Sequence, residues 1–448
     1  MPLPHPRTLA LTLALALLAA TGARAQSLLE LYQAAHGYDS AYQSALAQAQ
    51  AAQARADQAQ AGLLPQLGLQ AGGQHNWTQT SVLGTTSSRP FNSLNAALVG
   101  SQPLYRPANR IARDQGQLAA DAAQVKLRGA EQDLIVRLAQ AYFDVLAAED
   151  ALASVRALKT AVSEQLAAAQ RNFEVGNATI TDSREAQARF DLATAQEIAS
   201  ENELRVRKLA LDQLVGRGGT DPLPLAQPIE LPAPQPDQVE AWVAQATDEH
   251  PGVTQARMAL DIARLETEKA RAGHQPTVDL QASVGQTRYP DGNPGLAVAP
   301  RASARTTNAS IGVVMNWPLF AGFAIENRVK ETVALEEQAR ADLDTLERSV
   351  AQATRAAFFG VESGRSQVKA LEAAEHSSLT ALQANQLGYQ VGVRINIDVL
   401  NAQSQLYQTQ RDLARARYDV LVGTLRLKQA AGTLSADDLV PINQLLAR

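Results

Sequence analysis

The chain has 448 residues, of which only 4% are aromatic, a net charge of −5 and no cysteine. An acidic chain with no basic stripe and no interleaved aromatics makes a poor nucleic-acid surface. Without cysteine it has no disulfide, no thiolate metal site and no lipid-attachment thiol, and so few large side chains favour long helices packed through small residues over one bulky core.

Residues 1–25 have the pattern of a secretory signal. His5 and Arg7 precede an apolar run over 9–20, and Ala23-Arg24-Ala25 is a small-x-small cleavage site. The run is about 12 residues long, short of the roughly 20 a membrane-spanning helix needs. Ser27 with Glu30 three residues on is a capping box and predicts a short helix over 27–35, broken at His36-Gly37. An Ala/Gln-rich helix is expected over about 40–61.

After Pro65 the period changes to two. Leu67, Leu69 and Ala71 alternate with Gly68, Gln70 and Gly72; a polar loop is expected over about 74–93; a second strand follows through Leu98. This gives a strand pair over about 65–104, with strands of roughly 8–11 residues, the length of a tilted bilayer-crossing strand. Some 67 residues with no internal proline follow from 107, a helix of roughly 100 Å. The chain turns near 174–182, at Gly176, and returns as a helix over 182–215.

A Pro/Gly-dense strap occupies 217–236. The same elements then recur: a short helix over 237–248, a helix over 252–272, a strand pair over about 276–318, a long helix over 322–389, a tip near 390–398 and a returning helix over 398–431. Aligning Gly176 with Gly392 pairs Phe173 with Tyr389, Asp182 with Asp398 and Gln187 with Gln403 without a gap. The chain is a duplication with a period of roughly 215 residues, with repeats over 26–216 and 237–432 and a tail over 433–448. The tip glycines Gly176 and Gly392 supply backbone that a β-carbon would obstruct.

One strand face is apolar and the other carries Gly, Gln, Asp, Ser and Asn, as lipid outside and water inside require. Four strands cannot close a barrel, and open edges are not tolerated in lipid. Several chains must then share one barrel, and three would give twelve strands. The expected fold class is mainly α with transmembrane β: a trimeric 12-stranded β-barrel (4 strands per chain) continuous with a long α-helical coiled-coil tunnel.

Three stretches carry a family resemblance: Glu30-Leu31-Tyr32-Gln33-Ala34-Ala35, Leu63-Leu64-Pro65-Gln66-Leu67, and the second tip from Tyr389 through Gly392, Arg394 and Asp398 to Gln403. With the ordered strand pairs and duplicated hairpins, the chain resembles the TolC family of outer-membrane efflux and secretion channels. The resemblance implies a homotrimer in the outer membrane, with no catalytic activity and no cofactor. Its helical tunnel would cross the periplasm to meet a periplasmic adaptor and an inner-membrane ABC or resistance-nodulation-division (RND) transporter.

The resemblance also assigns residues. Tyr389 and Arg394 would form a closed-state latch with the first hairpin around Thr181 and Asp182. Asp398 would contribute to a periplasmic constriction ring that favours cations. The best-known members place a second aspartate one turn on, where this chain has Asn401, so one charged ring would stand in place of two. The adaptor would dock near 175–180 and 391–397. Plainer roles compete: Arg394 as a solvated turn residue, and Asp182 and Asp398 as helix caps.

An enzyme has little to rest on. The six histidines lack ligand spacing, and no HExxH, GxSxG or phosphate-binding glycine loop occurs. A periplasmic coiled-coil adaptor is the competing reading, but duplicated hairpins with paired strands speak against it. Cargo is open among drugs, metals and secreted proteins, with a general efflux and type I secretion duct preferred.

Overall fold

A computed structural model describes residues 26–447, apart from 83, 177, 227 and 293–301. The signal-like segment 1–25 and part of the connection within the second strand pair lie outside the described residues. In chain order the elements are α1 (Leu28–Tyr38), α2 (Ser40–Ala61), β1 (Gln66–Val82), β2 (Thr85–Tyr105), α3 (Pro107–Glu174), α4 (Ile180–Val215), α5 (Val239–Glu249), α6 (Pro251–Ala272), β3 (Thr277–Tyr289), β4 (Ala304–Asn316), α7 (Ala324–Gln390), α8 (Asn396–Ala430) and α9 (Leu439–Gln444). They form two compact units, one from residues 47–125 and 255–345, the other from the segments up to 46, 126–254 and 346 onward. Each unit draws on both repeats. Among the described residues no helix is long and apolar enough to cross a membrane.

The first unit holds one antiparallel sheet in the order β1-β2-β3-β4. Its register sorts side chains into rows that share a face. Leu69, Leu98, Val284 and Ala309 form one apolar row, and Leu67, Gly100, Ala282 and Ile311 the next. The alternate rows carry Gln66, Ser101 and Gln281, then Gly68, Ser283 and Ser310. The apolar face stands open: Leu67 and Leu69 are each 77% exposed and Ile311 76%.

The strands correct the sequence expectation. β1 and β2 are 17 and 21 residues long, and the stretch read as a polar loop over 74–93 is strand that pairs down to Val82 and Thr85. Thr, Ser, Asn and Gln occupy both faces there, so no two-residue hydrophobic period marks it. The ladder hydrogen bonds and the β-branched threonines still favour a strand. β3 and β4, at 13 residues each, also exceed the expected length.

Small residues let the helices of this unit approach. A β-carbon on Gly116 of α3 would stand 3.1 Å from the β-carbon of Ala59 on α2. Arg106, just before α3, donates through Nε and Nη2 to both carboxylate oxygens of Asp279 on β3, at 2.7 and 2.6 Å. Glu266 on α6 accepts from Gln115 of α3, Lys269 of α6 and Arg328 of α7. Burial raises its pKa, but those donors outweigh burial and hold the carboxyl at about 2.

The second unit has the main hydrophobic core. α3 contributes Leu134, Ile135, Leu138, Tyr142 and Phe143, α4 contributes Leu211 and Val215, and α8 contributes Leu421 and Leu425. Phe143 stacks on Tyr418 with ring centroids 5.5 Å apart. Beside this pair the Tyr418 hydroxyl donates to Asp150 at 2.6 Å. Burial pushes the Asp150 carboxyl up, and the Tyr418 bond only partly offsets it.

One further expectation changes here. α1 runs through His36-Gly37 to Tyr38, because Asp39 ends the helix with three interactions: its N–H bonds Ala35, its carboxylate caps Tyr42 N–H at 2.8 Å, and it pairs with Arg137. A helix glycine costs only about 1 kcal/mol, which these contacts outweigh. The C-terminal segment is part of the core: Leu434, Leu439, Ile442 and Leu446 are all buried in it. The strap is pinned alongside. Leu225 bridges to Leu446, Gln26 bridges to Pro222, and the Tyr142 hydroxyl donates to the Leu223 carbonyl at 2.9 Å.

Candidate functional site

The two hairpin tips belong to the second unit, and the repeats turn differently. At the first tip α3 ends at Glu174, and Gly176 takes φ +80°. Thr179, not Asp182, is the N-cap of α4: its hydroxyl accepts from Asp182 N–H while the Asp182 carboxylate accepts from Thr179 N–H at 2.9 Å. Asp182 therefore holds its own turn as the third residue of a capping box.

At the second tip Gly392 takes φ +75°, and Val393 and Arg394 N–H both donate to the Gly388 carbonyl. Gly388 has no side chain to obstruct the Arg394 stem folded over it, 2.7 Å from where a β-carbon would stand. The N-cap of α8 is Ile395, which has no side chain to cap with, and Asp398 lies two residues inside the helix start at Asn396. A carboxylate in the first turn suits the helix dipole, but Asp398 is not the cap.

Arg394 approaches Asp398 at 3.6 Å on its own hairpin, with 60% of its side chain exposed. Within the protomer it does not reach Thr181 or Asp182. Tyr389 also departs from the expected partner: its hydroxyl accepts from Asn172 Nδ2 on α3 at 3.3 Å. Thr181 is exposed and makes no side-chain bond to the second hairpin among the described residues. Asn401 accepts at Oδ1 from Arg189 Nη2 on α4 at 2.8 Å.

One buried residue that joins the hairpins near the tips was not anticipated. Asn396, 1% exposed, accepts from Gln165 Nε2 on α3 and donates to the Asp182 carbonyl on α4 at 3.3 Å. Around it Leu400 and Ile397 pack on Val162, Ala169 and Ala186 of the first hairpin, while Val399 and Leu406 pack on Leu382 of α7. The available signal was local: a polar residue between Ile395 and Ile397, one heptad before Gln403. The tips themselves expose apolar side chains, with Val175 68%, Val391 65% and Val393 77% exposed. Such clustering on a surface is the mark of a contact face.

The outer membrane efflux protein family model matches residues 31–217 and 242–433. The chain belongs to that family. Over 420 residues it is 33% identical to the outer membrane protein TolC of Vibrio cholerae, covering 94% of this chain and 93% of that one. It is 31% identical over 421 residues to the alkaline protease secretion protein AprF of Pseudomonas aeruginosa, covering 93% and 86%. The crystal structure of the outer membrane protein VceC of Vibrio cholerae superposes with a TM-score of 0.77 at 21% identity, covering 90% of this chain and 96% of that one. The chain has the fold of the outer-membrane channels, with transmembrane strands and periplasmic helical hairpins, and serves as an outer-membrane exit duct. The family is one of transport channels, not of enzymes, and the soluble adaptor reading is set aside.

Proposed function

We propose that three copies close one twelve-stranded barrel and one helical tunnel, forming the exit duct of a tripartite efflux or type I secretion system. The single observation that carries this is the sheet. Its four strands leave β1 and β4 as open edges and present a continuous apolar face, and unpaired edges are not tolerated in hydrocarbon. A chain with one third of a barrel needs neighbours to close it. A periplasmic adaptor would dock on the exposed apolar tips, and an inner-membrane ABC or RND transporter would supply energy and select cargo. Relatives named for efflux and for protease secretion support a duct that serves both.

In this reading the tips form the periplasmic aperture. Asp398 supplies a carboxylate ring, with Asn401 as a neutral layer one turn on. Tyr389 and Arg394 restrain the second hairpin, through Asn172 and Asp398 within the protomer and toward Thr181 and Asp182 of a neighbouring copy in the trimer. Native mass spectrometry of the detergent-solubilised protein tests the assembly. Three chains are expected, and a stable monomer or dimer would contradict it.

A further inference from the structure

α8 packs on the first hairpin through Ile397 and Leu400, and on α7 through Val399, Leu406 and Leu413, yet it also buries Asn396 and Gln403. A buried amide in a helical seam lowers stability unless it is fully bonded, and in coiled coils it serves to fix one alignment. Asn396 and Gln403 lie one heptad apart on α8 and differ in how they are satisfied. Asn396 uses both ends of its amide on the first hairpin, one on each of its two helices. Gln403 is 4% exposed, and its Oε1 has no hydrogen-bond partner among the described residues.

The start of α8 makes the difference sharper. α4 begins with a capping box of its own, whereas the N-cap of α8 makes no side-chain cap bond. The second hairpin's returning helix is therefore anchored at its first residue by another hairpin. Arg394 and Asp398, the charged pair nearby, lie within one hairpin, the arginine exposed and the aspartate half-buried, which makes a weak and salt-screened contact.

We infer that Asn396 is the positioning residue of the resting aperture: its amide clamps α8 to α3 and α4, and opening requires both of its bonds to break. This rests on the reading of the tips as a gate. A neutral, buried clamp keeps its strength in salt, unlike exposed ion pairs. Losing one such bond shifts an equilibrium by about fivefold, so each protomer contributes two steps of that size.

The test is single-channel conductance of the full trimer in planar bilayers at low and high salt. Asn396→Leu keeps the branched shape of the side chain but removes both bonds, and should raise resting conductance or open probability at either salt concentration. Gln165→Leu removes one bond and should give a smaller rise. The double variant should match Asn396→Leu, because both act through one amide. Gln403→Leu, equally buried but without a cross-hairpin bond, should leave conductance unchanged. If Arg394→Ser opens the channel and neither Asn396→Leu nor Gln165→Leu does, the clamp is overturned and the gate stands. If none of the three changes conductance, the gate reading fails and takes the clamp with it. Should Asn396→Leu not assemble, Gln165→Leu decides alone: unchanged conductance rejects the clamp.

Discussion

Arg189 donates to Asn401 across the two hairpins at 2.8 Å, which places a cation of the first repeat one helical turn from the Asp398 carboxylate of the second. Arg189 has no ion pair among the described residues, so its charge is not neutralised locally. Three such guanidiniums beside a ring of three carboxylates would weaken the ring's attraction for cations. Arg189→Gln should therefore increase cation preference, read as a larger reversal potential under a salt gradient. An unchanged reversal potential would remove Arg189 from the selectivity of the duct.

Glu266 sets an acid limit on the helices beside the sheet. Its folded pKa, at about 2, lies below the ordinary 4.5, so its contribution is complete above the unfolded value and is lost as pH falls from about 4.5 toward 2. The magnitude is on the order of 2 kcal/mol after solvent screening. Glu266→Gln should lower thermal stability at pH 7 and match the parent near pH 2, measured by circular dichroism melts across pH.

Asp150 has the opposite sign. Burial raises its folded pKa, so its ionised form costs stability above the folded value, and the cost disappears as pH falls below the unfolded one. Asn in its place can still accept from Tyr418. Asp150→Asn should raise the melting temperature at neutral pH and lose that advantage in acid.

The tail carries core weight. Leu439 is fully buried in the core cluster it shares with residues of α1, α3 and α8, and truncating such a leucine costs about 2–5 kcal/mol. Leu439→Ala should lower the melting temperature of the purified protein. Deletion from residue 434 onward should release the strap from Leu446 and reduce recovery of trimers, seen by size-exclusion chromatography.

The fold was legible because its signals are periodic or repeated. Leu67, Leu69 and Ala71 alternate, the helical runs lack internal proline, and Gly176 aligns with Gly392, so strand pairs, hairpins and the duplication could be placed from residue types alone. The outer halves of β1 and β2 were not legible, because Thr, Ser and Asn on both faces erase the period that separates strand from loop. The tips were legible as turns but not as contacts. Asp182 and Asp398 occupy the same repeat position, yet Thr179 precedes one and Ile395 the other, so only the first forms a capping box. Gln165 and Asn396 are separated by 231 residues, and nothing local in either marks the other as its partner.

The most direct test of the channel and its aperture is single-channel recording of the purified protein in planar bilayers. A small, cation-preferring resting conductance blocked by trivalent cations is expected. Asp398→Ala should abolish the block and the preference, and Tyr389→Phe with Arg394→Ser should raise conductance several-fold. Insertion with no change in either variant would leave a pore without this latch and ring. Protein that forms trimers yet never conducts would contradict the channel itself.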